Sequence, residues 1–214
     1  MKKVFEFLRA GRPSHEPEAE PDPFPESQFF TTGFQDVPGT ATTRGSWPER
    51  ARSLGARRLA HEPAARRLKE LWTQDRFMAG LSSQDLENCA RHFEFWAVDA
   101  DRDIIEQNEP GTFMLVLLHG VIAVDRQQPW GERVRLTESR AGSVLGEMSL
   151  LDAGPRASYC TTLRPCEVAV LEAGMLDSLI ERDPASAVRI VGSLARRLSL
   201  RLRKLGAPSI GASA

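Results

Sequence analysis

Two side chains of opposite charge, Glu147 and Arg156, lie nine positions apart in a stretch that has the chemistry to bind a small anion. Gly146 precedes them, and glycine lets the backbone turn tightly and approach a ligand closely. Residues 147–151 have short helical character, so their first N–H groups can face an anion. Arginine offers a fixed fork of donors that fits phosphate oxygens. A carboxylate would be repelled by phosphate and is better suited to accept hydrogen bonds from a sugar hydroxyl. The pattern therefore predicts a site for a compact sugar phosphate.

The whole stretch resembles a known motif. Residues 146–158 read Gly-Glu-Met-Ser-Leu-Leu-Asp-Ala-Gly-Pro-Arg-Ala-Ser, which is similar to the phosphate-binding cassette of the cyclic nucleotide-binding domains. That cassette runs Gly-Glu, a few apolar or small residues, a short spacer, and then Pro-Arg followed by small residues. The resemblance extends from about Arg66 to Leu205. It implies a mainly β fold, an antiparallel β roll or jelly roll with flanking helices.

The resemblance also implies a role for each site residue. Glu147 would bind the ribose 2′-hydroxyl, Arg156 the exocyclic phosphate oxygens, and backbone N–H groups the remainder of the phosphate. Members selective for cGMP usually carry threonine after the arginine, where this chain has Ala157, so cAMP is the expected ligand and cGMP the less favoured one. The predicted ligand-binding residues are Leu145, Gly146, Glu147, Met148, Ser149, Arg156, Ala157 and Ser158.

The chain departs from the family pattern at several positions. Ser143 and Leu145 stand where aspartate and phenylalanine are common, and Tyr159 occupies a position that is usually small or β-branched. The last helix has no aromatic residue to cover the base, so that Leu198 or Leu202 would have to serve as the lid.

The elements that must position these residues follow from hydrophobic periodicity. Between Phe93 and Leu171, short apolar runs alternate with turn residues, which is typical of an antiparallel sandwich or barrel. Helical spacing precedes the runs, and residues 82–85 look like a helix cap. After the strands, the Asp183-Pro184 pair supplies an N-cap and a first-turn proline for a closing helix.

These patterns predict three regions. Residues 63–206 form the predicted cyclic nucleotide-binding domain, and residues 207–214 a flexible C-terminal tail. Residues 1–62 are rich in proline and poor in apolar side chains, so they are predicted to be disordered. Two interpretations of that extension stay open: a solvated linker, or a segment that docks an effector protein through residues 1–60.

The closing helix also has two interpretations. Its apolar residues are spaced by three or four positions, as in a coiled-coil seam, at Val191, Leu194, Leu198, Leu202 and Leu205. This stripe either packs over the roll as a lid or pairs with a second copy in a homodimer. The arginines on the other faces are interpreted as a solvated basic surface.

The composition places the chain among globular proteins. It has 214 residues, 41% hydrophobic and 27% charged, with a formal net charge of -1, which gives no overall attraction to nucleic acid or anionic membrane. No apolar run is long enough to span a bilayer and the N-terminus is too charged for a secretory signal. The three cysteines sit among apolar neighbours and suit a reducing compartment. The cytoplasm is therefore the expected location.

Two rival classes are disfavoured. A metal-dependent enzyme on a β roll needs clustered histidines, but the four here are scattered, at His15, His61, His92 and His119. A transcription factor of this type needs a helix-turn-helix after the last helix, and the sequence runs only about nine residues beyond Leu205. The sequence thus predicts a stand-alone, non-enzymatic cyclic nucleotide-binding module without sequence-specific DNA binding. The alternative is an orphan roll that acts as a nucleotide-independent scaffold.

Overall fold

The computed structural model describes residues 45–206, with only the backbone for 204–206. Its helices are α1 (Trp47–Leu54), α2 (His61–Gln74), α3 (Ser83–Ala90), α4 (Glu147–Asp152), α5 (Ala173–Arg182) and α6 (Pro184–Gly206). Its strands are β1 (Arg57–Arg58), β2 (Glu94–Val98), β3 (Asp103–Ile105), β4 (Phe113–His119), β5 (Ile122–Gln127), β6 (Arg133–Ser139), β7 (Val144–Leu145), β8 (Tyr159–Thr162) and β9 (Cys166–Glu172).

The strands form two antiparallel sheets. One has the order β1-β2-β9-β4-β7 and the other the order β3-β8-β5-β6. Strand β4 is buried along six consecutive residues, because it lies between β9 and β7 and packs against core on both faces. An antiparallel roll with flanking helices confirms the predicted fold class.

Local sequence signals explain how two of the helices begin. Ser82 caps α3 in a capping box with Asp85, as predicted. The Asp183 carboxylate accepts hydrogen bonds from the backbone N–H and the hydroxyl of Ser186 at 3.1 and 2.6 Å. The hydroxyl bond is the main cause that lowers the pKa of Asp183. Both predicted caps are confirmed.

The apolar stripe of α6 divides into two parts. Leu194 is buried and Val191 packs at the edge of the core, where α6 lies against α5 and α3. Leu198 is only half-buried and Leu202 is 68% exposed. The stripe therefore covers the roll along its first half, while the described part of its second half faces outward.

The ordered fold starts earlier than the predicted boundary at residue 63. Helix α1 lies inside the segment predicted to be disordered, and Trp47 and Ala51 are buried in the core between the sheets. Gly55, at φ 65°, ends this helix in the left-handed conformation. The prediction for residues 47–62 is thus corrected, because a single buried tryptophan anchors a helix whose other residues are mostly polar. Residues 1–44 and 207–214 lie outside the described residues.

Within residues 45–206, no helix combines the length and the apolar character that crossing a bilayer would require.

A candidate phosphate and sugar site

The cassette begins where β7 ends. Gly146 has φ 77° and serves as the N-cap of α4, a conformation that favours glycine. A Cβ atom at this position would lie 2.6 Å from Nη1 of Arg156. Glycine is therefore required here both by the turn and by the close approach of the arginine.

Arg156 lies inside the roll and is only 2% exposed. Its Nη1 donates a hydrogen bond to the Gly146 carbonyl at 2.9 Å. Its guanidinium carbon stands 4.4 Å from the centroid of the Phe113 ring, in cation–π geometry. Its Nε and Nη2 are buried without a hydrogen-bond partner among residues 45–206. Two donors of a buried cation are thus unsatisfied within the described residues.

The charge of Arg156 survives its burial. Desolvation lowers the pKa of Arg156 to about 10, which still leaves the guanidinium protonated at neutral pH. An isolated buried charge is costly unless it is paired. The arrangement therefore favours an anionic ligand that contacts Nε and Nη2.

The loop between β3 and β4 forms a wall of the site that the sequence did not identify. The Arg156 N–H donates to the Glu109 carbonyl at 2.9 Å, and the Asn108 N–H donates to the Arg156 carbonyl at 2.9 Å. Gly111 packs so closely that a Cβ atom there would overlap the guanidinium of Arg156. In the sequence the Pro110-Gly111 pair indicates only a turn, and nothing local to it points to a residue 45 positions away.

Glu147 begins α4 and is buried, with 3% exposure. Its Oε1 accepts a hydrogen bond from Nη1 of Arg201, on α6, at 2.6 Å. The side chain of Arg201 is about half exposed. The predicted sugar-binding carboxylate is thus engaged by the closing helix, and Arg201 departs from the predicted solvated basic surface.

Other arginines of α6 also form ion pairs with the helices before the roll. Arg197 pairs with Asp75, and Arg189 pairs with Asp85 at 3.2 Å. The interpretation of this face as simply solvated is therefore wrong for three of its arginines. The cause is tertiary, since the acids come from distant parts of the chain.

The remaining predicted site residues differ in exposure. Leu145 and Ser149 are buried, Met148 is 43% exposed, Ala157 is exposed and Ser158 is half-buried. Leu145 and Ser149 thus belong to the interior of the cassette, whereas Met148 and Ala157 face outward.

The cysteines and the acids supply no metal centre within the described residues. Cys89, Cys160 and Cys166 are buried free thiols, and burial raises the pKa of Cys160 to about 12. Across residues 45–206, no three His, Cys, Asp or Glu side chains are placed to hold a metal ion together.

A roll that buries an arginine with two donors unsatisfied among residues 45–206 suits a domain that binds an anion, and known proteins offer a comparison. Residues 96–183 match the model of the cyclic nucleotide-binding domain. The matched residues include the whole cassette, so the family whose model matches is the one that the cassette resembles.

Individual relatives agree with this assignment. The CRP-like cAMP-activated global transcriptional regulator of Mycobacterium tuberculosis is 30% identical over 95 residues, which cover 44% of this chain and 42% of the regulator. The chain spans about half the length of the curated relatives it matches.

Solved structures give the same fold. A cyclic nucleotide-binding domain from Methylobacillus flagellatus has a TM-score of 0.64 and 22% identity, covering 70% of this chain and 84% of that one. The catabolite activator protein of Thermus thermophilus has a TM-score of 0.53 and 26% identity, covering 60% and 61%.

Proposed function

We propose that this chain is a regulatory, non-enzymatic module that binds a cyclic nucleotide, cAMP in preference to cGMP, and signals to a partner protein. The observation that carries the proposal is Arg156, a buried and charged guanidinium whose Nε and Nη2 have no partner among residues 45–206. The match to the cyclic nucleotide-binding domain model and the relatives named above support the same ligand class.

The charge of the site favours a cyclic phosphate. Arg156 supplies a single buried cation, and its nearest acid in the cassette, Glu147, is already paired with Arg201. A cyclic phosphodiester carries one negative charge and would balance Arg156, whereas a phosphomonoester brings additional negative charge into a buried site. Cyclic nucleotides should therefore bind better than their linear 5′-monophosphates.

The sugar half of the site links the ligand to α6. In the proposed complex, Glu147 accepts a hydrogen bond from the ribose 2′-hydroxyl, the role that the cassette predicts. That hydroxyl competes with Arg201 for the carboxylate, so binding releases the end of α6 that carries Arg201. A ligand shifts a conformation only through its different affinity for the two states, and this exchange of partners supplies such a difference.

In the proposed mechanism, the signal to a partner depends on α6, whose end is released when Arg201 leaves Glu147. Val188 and Leu202 leave α6 with exposed apolar side chains, which supports the prediction that this helix contributes to a homodimer. The proposed docking of an effector through residues 1–60, and the action of the module without a DNA-binding domain, stay predictions.

Calorimetric titration of the full chain tests the proposal. The ligands are cAMP, cGMP, cyclic di-GMP and 5′-AMP, which share sugar and phosphate groups but differ in base, ring closure and charge. We expect binding with cAMP tightest and 5′-AMP weakest, together with a rise in melting temperature on adding cAMP. Absence of heat and of any melting shift with all cyclic ligands would overturn the proposal and favour the nucleotide-independent scaffold.

A further inference from the structure

Residues 45–54, here called the strap, contact the wall of the phosphate site. Arg50 of α1 donates to Glu106 at 2.6 Å and also bonds Glu109. The Thr112 N–H donates to the Gly45 carbonyl at 3.2 Å. Gly45 has φ 82°, and a Cβ atom there would overlap the Pro110 carbonyl. The strap thus holds the β3–β4 loop, residues 106–112, at both of its ends.

That loop is in turn fixed to Arg156. Two backbone hydrogen bonds join Asn108 and Glu109 to Arg156, and Gly111 lies directly against the guanidinium. Any outward movement of the loop would remove these contacts. The position of Arg156 therefore depends on what holds the loop in place.

A second set of contacts, between aromatic rings, also links the strap to Arg156. Trp47 is fully buried and meets the Phe113 ring edge-on, with centroids 5.2 Å apart. Phe113 is the ring that faces the guanidinium of Arg156. The backbone N–H of Trp47 donates to Glu172 Oε1 at 2.6 Å, which fixes the start of α1. Helix α1 therefore supports Arg156 in two ways, through the β3–β4 loop and through the Phe113 ring.

Charge connects the strap to the ligand as well. Arg50 has a side chain that is only 14% exposed and pairs with both loop carboxylates. Without Arg50, the charges of Glu106 and Glu109 would stand unpaired beside a site for an anion. Loss of this arginine should therefore weaken phosphate binding both by loosening the loop and by like-charge repulsion.

We propose that the strap positions Arg156, with Arg50 as the positioning residue, and that docking of the strap and binding of the ligand stabilise each other. The second part rests on the proposed function; the first part does not. Because such coupling is reciprocal, a ligand on Arg156 would tighten the strap, and a change in the strap would alter ligand affinity. A displacement of α1 would therefore change the phosphate site.

Titration of strap variants of the full chain tests the coupling. Arg50→Ala should weaken cAMP binding about tenfold, within the usual range of coupling between sites. Arg50→Lys keeps one charge without the two-pronged geometry and should fall between Arg50→Ala and the unaltered chain. Arg57→Ala is the matched control, because Arg57 follows the strap and forms a surface ion pair with Asp99. Equal affinities for Arg50→Ala and Arg57→Ala would overturn the coupling.

Hydrogen exchange tests the positioning without a ligand. In Arg50→Ala, the amides of Asn108 and Arg156 should exchange several-fold faster, while those of β9 stay unchanged; Arg57→Ala should alter neither. Unchanged exchange at Asn108 and Arg156 would overturn the positioning role. If the unaltered chain binds no cyclic nucleotide, the proposed function and the coupling both fail, and the exchange result alone still decides whether the strap positions Arg156.

Discussion

The two halves of the candidate site differ in how they meet a ligand. In the phosphate half, Arg156 is held by the β3–β4 loop, Phe113 and Gly146, and it has two donors without partners in the described chain. In the sugar half, the Glu147 carboxylate is hydrogen-bonded to Arg201. The phosphate half is preorganised, whereas in the proposed complex the sugar half exchanges one partner for another.

This difference separates affinity from response. Preorganisation lowers the cost of ordering on binding, so the phosphate half should supply most of the affinity. A partner exchange at Glu147 couples binding to α6, so the sugar half should supply the conformational signal. Variants that affect one half should therefore leave the contribution of the other measurable.

The largest effect is expected from Arg156→Met. Methionine fills much of the same volume but removes the charge and the donors. Loss of hydrogen bonds to a charged group should weaken cAMP binding about 100-fold or more. The melting temperature without ligand should hold or rise, because a buried charge with two unsatisfied donors among residues 45–206 is replaced by an apolar side chain.

Arg164→Ala is the control for that experiment, since Arg164 is exposed in the turn before β9. Calorimetry and thermal melts of both variants give the comparison. A variant at Arg156 that melts much earlier yet binds cAMP normally would show that the arginine is structural and would break the distinction between the halves.

The next effect tests the sugar half with a pair of ligands. If Glu147 accepts the ribose 2′-hydroxyl, the unaltered chain should bind 2′-deoxy-cAMP about tenfold more weakly than cAMP, the order expected when a charged acceptor loses its donor. In Glu147→Ala the two ligands should bind alike. Both ligands are titrated against the unaltered chain and against Glu147→Ala. A preference for cAMP that survives in Glu147→Ala would mean that another residue binds the 2′-hydroxyl.

The cassette could be predicted from the sequence because its chemistry is local. Gly146, Glu147 and Arg156 lie within eleven residues, and the short motif specifies the turn, the helix and the arginine together. The roll could be predicted because its apolar runs and turns have strand periodicity. Both signals depend on neighbours in the chain.

The strap and the Arg201 contact could not be predicted for the same reason. Arg50 meets Glu106 and Glu109, 56 and 59 positions away, and Arg201 meets Glu147 across 54 positions. The sequence alone does not show which of the chain's arginines forms an ion pair with each of these acids. The segment of α1 held one usable signal, Ser46-Trp47-Pro48, in which a serine at the N-cap position and an early proline flank a tryptophan.

A smaller effect is expected from Arg201→Ala. If the ligand displaces Arg201 from Glu147, removing it eliminates a competitor and cAMP should bind about threefold more tightly, a modest change because the arginine is half exposed. Arg203→Ala, exposed on the same helix, is the control. Weaker binding by Arg201→Ala in calorimetry would mean that Arg201 stays in the complex and helps to hold the ligand, so that the sugar half would be preorganised too.

The smallest effect concerns the anchor of the strap. Burial raises the pKa of Glu172 above its usual value near 4.5, while the hydrogen bond from the backbone N–H of Trp47 opposes the shift. A carboxyl group with a raised folded-state pKa contributes stability that is present below its unfolded pKa and is lost as the pH rises through the folded value. Glu172→Gln keeps an acceptor for Trp47 but does not titrate, so its melting temperature should fall less than that of the unaltered chain as the pH is raised from about 4 towards 7.

Melting temperatures measured across this pH range for the variant, the unaltered chain and a control, Glu132→Gln, give the difference. Glu132 is exposed in the β5–β6 turn. Because Glu172 holds the start of α1, this pH dependence should belong to the phosphate half and leave the Arg201–Glu147 contact unaffected.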